Sequence, residues 1–269
     1  MALVPFRGSA QPAPDDDPDD DLDRDDEAGG KMSFLEHLDE LRHRLVVALV
    51  AVVAGFFLAL FFIDRIFSFV MRPLQQILPP GSKLIYTEPT EAFMLQLKVA
   101  ALAGLVLAAP LVMWQVWLFV APGLYSKEKR FALPFVFFSS FFFLAGAAFS
   151  HYVVFPTAWA FLASFNTDYM EFMPKVSSTF SLYARMLLAF GLVFQMPTIV
   201  LALARMGVVT AGFLVRHTKY AILIIFIVAA VVTPTSDVVT QALMAAPMIV
   251  LYGLSIIIAW VFGRRKASR

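Results

Sequence analysis

Few residues in this sequence have the type and spacing that chemistry needs. The closest pair among its four histidines, His37 and His43, stands six apart. That spacing does not bring the two rings onto one helix face. His151 and His217 are isolated. With no cysteine in the chain, disulfides and thiolate metal sites are excluded, and no metal or cofactor is expected. There is no Gly-x-Ser-x-Gly elbow, no glycine-rich phosphate loop ending in Lys-Ser/Thr, and no His-Glu-x-x-His. Ser139 and Ser140 with His151 come nearest to a nucleophile with a base. No motif supports them, so they read as packing residues and the chain does not read as an enzyme.

Two acidic residues are better placed. Glu40 lies in the stretch Ser33-Phe34-Leu35-Glu36-His37-Leu38-Asp39-Glu40-Leu41-Arg42-His43-Arg44-Leu45. Ser33 and Glu36 there form a capping-box pattern. Leu35, Leu38, Leu41 and Leu45 form an apolar stripe, so the stretch predicts an amphipathic helix. Glu40 can pair with Arg44 one turn on. Glu128 lies in Val120-Ala121-Pro122-Gly123-Leu124-Tyr125-Ser126-Lys127-Glu128-Lys129-Arg130, where its flanking lysines can neutralise it. A third group of polar residues interrupts apolar runs: Gln115, Gln195, Thr233 and Gln241, with Asp237 beside the last two. Polar groups are costly inside a bilayer, and their ordinary use there is a helix-to-helix hydrogen bond.

The elements that must position these residues are membrane helices. Hydrophobic residues make up 60% of the 269, and 28 are Phe. Mean hydropathy is +0.77. A soluble domain of this size would need more polar surface. Charge-free runs of about 20 residues, enough to cross a ~30 Å core, predict six spans. These are Leu45–Ile63, a second within Val99–Val120 around Pro110, a third from near Phe131, Met186–Ala204, Thr218–Val232 and Val239–Phe262. The third run carries no charge until Asp168, too long for one crossing, so Pro156 is expected to mark its exit from the bilayer. In the first outer loop Ile66, Phe67, Val70, Met71 and Leu74 recur at helical spacing, which predicts a helix on the membrane surface. The prolines and glycine at 79–81 should end it.

Charge then orients the chain. Half of its 20 acidic residues fall between Asp15 and Glu27, in an Ala-, Pro-, Asp- and Gly-rich segment. Residues 1–30 are therefore expected to be a disordered acidic tail, not a signal peptide, ahead of one six-span domain over 31–269. From Lys31 onward there are 19 Lys and Arg against 10 acids. Thirteen of the 19 fall on the face shared by the termini and six on the other. The positive-inside rule puts both termini in the cytoplasm. The fold expected is an all-α integral membrane protein, six transmembrane helices, N-in and C-in. The basic excess also suits contact with anionic lipid.

Ordered along the chain, these features resemble the TatC family, the receptor and core subunit of the twin-arginine translocase. The resemblance rests on Phe-Leu-x-His-Leu-x-Glu-Leu-Arg-x-Arg-Leu at Phe34–Leu45. It continues through Ala109-Pro110, Gln115-Val116-Trp117, Ala121-Pro122-Gly123-Leu124-Tyr125 and Glu128. Phe155-Pro156, Phe190-Gly191, Pro197, Thr233-Pro234, Asp237 and Ala246-Pro247 complete it. It implies a cytoplasmic receptor for twin-arginine signal peptides, in the plasma (cell inner) membrane. Such a receptor nucleates a complex that exports folded proteins on the proton-motive force. Glu40 and Glu128 match the family's signal-binding acids, with Arg42 and Lys127 counted in the same site. A guanidinium fork fits a carboxylate bidentately, whereas lysine offers only a point charge. The resemblance also assigns Thr233 and Gln241 to docking of single-span TatA- and TatB-type helices, with Asp237 counted in the same site. Gln195, an amide midway through the fourth span, is expected to give such a helix a polar contact. Where relatives often carry Glu in the fourth span this chain has Gln195, which cannot titrate. Self-association is expected and nucleic-acid binding is not.

A small secondary transporter is the main alternative. Such folds usually show internal repeats and broken helices around a midplane site, and no repeat is visible here. An intramembrane enzyme would need the serine–histidine pairing set aside above.

Overall fold

The computed structural model describes residues 34–77, 84–124, 132–165, 173–233 and 238–263. The capping box at Ser33 and Glu36, the acidic tail, the turn at 79–81, and Lys127, Glu128 and Asp237 lie outside the residues whose side chains are described. The chain forms two compact units, Met1–Arg42 and His43–Arg269. All regular structure among the described residues is helical, apart from one isolated bridge. We number the helices α1 Phe34–Phe61, α2 Ile63–Gln75, α3 Glu91–Leu124, α4 Ala132–Phe149, α5 Phe155–Ala163, α6 Val176–Val193, α7 Met196–Arg205, α8 Ala211–Arg216, α9 Thr218–Val232 and α10 Val238–Phe262. A π-helical segment, Ser150–Val154, joins α4 to α5. Among the described residues, five helical stretches are long and apolar enough to cross a membrane: His37–Phe61, Glu91–Phe119, Pro134–Ala163, Val176–Arg205 and Val238–Phe262. α9 is apolar but shorter.

Small residues decide where the helices of the second unit approach one another. At the α1–α3 crossing, a Cβ on Gly55 would stand 2.5 Å from the carbonyl oxygen of Gly104, and one on Gly104 would stand 2.5 Å from the backbone nitrogen of Phe56. The two backbones touch, as glycine allows in membranes where burial of apolar surface supplies no driving force. Gly146 of α4 and Gly191 of α6 repeat the device, Gly146 against the Phe190 carbonyl and Gly191 against the Phe143 ring. Around these crossings the core gathers Met71 and Leu74 of α2, Phe155 and Trp159 of α5, Met186 and Phe190 of α6, and Met244 and Met248 of α10. α1 keeps most of its surface open, with Leu49, Phe57 and Phe61 at 61%, 64% and 82% exposure.

The helix predicted from the spacing of Ile66, Phe67, Val70, Met71 and Leu74 is α2. Val70, Met71, Pro73 and Leu74 form its buried face. Pro156, expected to mark the exit of the third run from the bilayer, does not end the helix, whose path continues from Pro134 to Ala163. A proline removes an i→i−4 bond and its ring clashes with the carbonyl four back. The π segment widens the turn just before the proline, so that the Phe155 N–H reaches the carbonyl of Ser150, five residues back. Thr157 Oγ1 donates to the Val153 carbonyl at 2.6 Å. The fourth span also differs from the expected Met186–Ala204. It starts ten residues earlier, at Val176, and turns at Phe194 and Gln195 before α7. Pro197, in the first turn of α7, explains the interruption.

Candidate functional site

α1 carries Glu40 and Arg42 in its opening turns, within the first unit. Glu40 is half-buried and Arg42 exposed. The predicted apolar stripe stays open, with Leu38 and Leu41 at 44% and 41% exposure. One turn beyond Glu40, in the second unit, Arg44 Nη1 donates to Gln115 Oε1 of α3 at a long 3.4 Å. Gln115 thus makes the helix-to-helix bond expected of it. Glu128 and Lys127 fall between α3 and α4, outside the described residues.

Gln195, Gln241 and Thr233 are each engaged within the chain. Gln195 is 6% exposed. Its Oε1 accepts from Ser139 Oγ at 2.6 Å, and its Nε2 donates to the Ser139 carbonyl at 2.8 Å. The break between α6 and α7 places the amide at this spot, facing α4. Gln241 Nε2 donates to the Phe226 carbonyl at 2.9 Å, tying α10 to α9. Thr233 closes α9, its Oγ1 donating to the carbonyls of Ala229 and Ala230 at 3.0 and 3.3 Å. Thr233 and Gln241 therefore belong to one α9–α10 pair, whereas Gln195, in the turn between α6 and α7, sits apart against α4. The serine–histidine pairing of an intramembrane enzyme is not assembled. Ser139 serves Gln195, and His151 Nδ1 shares a 3.0 Å hydrogen bond with Tyr183 Oη while stacking on Phe69 at 4.3 Å.

Sequence reasoning missed one carboxylate. Glu91 opens α3 and is 8% exposed. It accepts from the Thr87 N–H at 3.0 Å and from the Ser177 N–H at 3.2 Å, and lies 3.7 Å from Lys175 Nζ. It thereby caps α6 from another helix, supplying the acceptor that Lys175, at the N-cap position, lacks. The backbone bridge between Ile85 and Lys175 holds the two connections together. The only hint in sequence was an acid at the head of an apolar run. Nothing local marked a partner 86 residues away.

The arrangement has no assembled nucleophile and base among the described residues. It is a helical scaffold with a carboxylate on its first helix and polar crossings inside. Comparison with known proteins places that scaffold. A family model described as Sec-independent protein translocase protein (TatC) matches residues 36–247. The TatC protein of Desulforapulum autotrophicum is 47% identical over 238 residues, covering 88% of each chain. That of Koribacter versatilis is 43% identical over 261 residues, covering 95% of this chain and 96% of the relative. A crystal structure of the twin-arginine translocase receptor TatC superposes with a TM-score of 0.73 at 34% identity, covering 83% of this chain and 98% of that one.

Proposed function

Because the chain belongs to the TatC family of Sec-independent protein translocase proteins, we propose that it binds twin-arginine signal peptides at the cytoplasmic face and nucleates assembly of the exporting complex. It is a membrane-embedded, non-enzymatic subunit of twin-arginine protein translocation. The observation that carries the proposal is the family match across residues 36–247, a range that includes both Glu40 and Glu128. In this reading α9 is the sixth span, and both termini face the cytoplasm of a cell whose inner membrane holds the protein. The excess of basic residues on that face supports the orientation. Glu40 and Glu128 each take one guanidinium of the paired arginines, with Arg42 and Lys127 at the margins. Thr233, Gln241 and Asp237 dock single-span TatA- and TatB-type helices, and transport draws on the proton-motive force.

A charge-assisted bond of this kind contributes about 1.5–3 kcal/mol, so loss of one acid should cost roughly ten- to a hundredfold in affinity. Binding of a twin-arginine peptide, beside a twin-lysine control, to Glu40→Ala, Glu128→Ala and the double variant tests the assignment. Each single variant should bind more weakly and the double variant weakest. Unchanged affinity in all three would sink it.

A further inference from the structure

We propose that the groove between α8 and α10 is a binding site for one anionic phospholipid, with its phosphate on Arg216 and an acyl chain along α10. The groove has a volume of about 680 Å3 and is lined by Ala211, Gly212, Val215, Ile256, Ile257 and Trp260, with Arg216 at its edge. Its floor is apolar and open. Val215, Ile257 and Trp260 are 59%, 58% and 77% exposed. A Cβ built on Gly212 would meet nothing within 4 Å.

The lengths of the helices explain why a cation stands beside this apolar surface. The 15 residues of α9 reach only ~22 Å, whereas the 25 of α10 reach ~37 Å. α10 therefore runs on past the start of α9. The chain turns at His217, and α8 lies against this overhang, held by Tyr252 Oη donating to the Leu214 carbonyl at 2.7 Å. Arg216 and Lys219, both exposed, are thus drawn toward the hydrocarbon while the last apolar turns of α10 continue beside them. Lys219 lies 5.0 Å from the centre of the Tyr220 ring. Tyrosine and tryptophan beside cations are what a membrane–water boundary selects.

Charge chooses the occupant. Among the described residues of the second unit the acids are Asp64, Glu88 and Glu91, all in the connection from α1 to α3 or at the head of α3. Glu91 meets the opening of α6, the far end from Arg205. At the α8 end the described charges of this unit are cationic. A lipid phosphate complements them, and its chain covers the groove floor. An uncharged lipid or an apolar partner helix would cover the floor and leave Arg216 at the hydrocarbon edge.

The test is native mass spectrometry of the full chain in detergent, titrated with dioleoylphosphatidylglycerol or dioleoylphosphatidylcholine. The wild-type protein should retain one phosphatidylglycerol in preference to phosphatidylcholine. Arg216→Gln should weaken phosphatidylglycerol retention roughly fivefold, as expected for one basic residue at an anionic surface. Gly212→Leu, which improves helix propensity while filling the groove, should weaken retention of both lipids. Equal retention of the two lipids, or retention indifferent to both variants, would overturn the proposal. A photo-crosslinker at position 215, in phosphatidylglycerol vesicles, supplies a measurement without either variant. It should capture lipid; capture of a second copy or of a partner helix instead would equally overturn it.

Discussion

Gln195 and Ser139 exchange two hydrogen bonds across the bundle, and this bears on what Gln195 can do. An amide in hydrocarbon must find partners or carry its desolvation cost, and here one serine supplies both. Ser139 occupies one N–H and one lone pair of Gln195, so a single-span partner that bonds there competes with Ser139. The docking proposal for this residue is therefore a proposal of exchange. Membrane hydrogen bonds are worth on average ~0.6 kcal/mol, with a maximum near ~1.7. Gln195→Leu and Ser139→Ala should couple by that amount in a double-mutant cycle of thermal unfolding. Gln195→Glu, when protonated, keeps one donor and one acceptor, and should preserve the stability that Gln195→Leu loses. Twin-arginine peptide affinity should not change in any of these variants. Loss of partner-helix crosslinks in Gln195→Leu alone, with Ser139→Ala unaffected, would support exchange. Crosslinks at the wild-type level would leave Gln195 a bundle residue.

Among the helices, α1 depends most on a single crossing. Much of its apolar surface is open, and the Gly55–Gly104 contact leaves no room for a side chain. Overpacking a tight site costs ~1–3 kcal/mol, and here the obstacle is backbone, which cannot swing away. Gly55→Val and Gly104→Val should each lower the unfolding temperature and free α1. A cysteine pair placed across the crossing should then crosslink less efficiently. Gly212→Ala, a glycine with nothing near its missing Cβ, is the control and should unfold at or above the wild-type temperature. Equal behaviour of all three would contradict the close approach. α6 is held differently. Its head is capped by Glu91 from α3, so its N-terminal turn is tied to the head of α3 and not only to its own sequence.

The whole molecule presents unequal lengths to the bilayer. The Val176–Arg205 path has 30 residues and α9 has 15. At ~1.5 Å per residue the second reaches ~22 Å, short of a ~30 Å core. Arg216 and Lys219 can extend their head groups toward water, and local thinning is the cheap remedy for the rest. Depth-dependent quenching of spin labels along α9 and α10 should report a thinner hydrocarbon profile there than along α3. A uniform profile would contradict this.

Composition and charge-free runs were enough to foresee an all-helical membrane chain and a short helix at Thr218–Val232. Periodicity alone marked α2. Hydrophobic length and period are local properties, and lipid offers the backbone few alternatives to a helix. The ordered motifs were likewise sufficient to indicate the family. Only the tertiary structure decided that the helix runs on past Pro156, because the answer lay in a π turn whose bonds depend on geometry and not on residue type. It also decided that Gln195 meets Ser139, that Gly55 meets Gly104, and that Glu91 caps a helix 86 residues away. Those pairings join positions far apart in sequence, each residue compatible with many partners, and close packing alone selects among them.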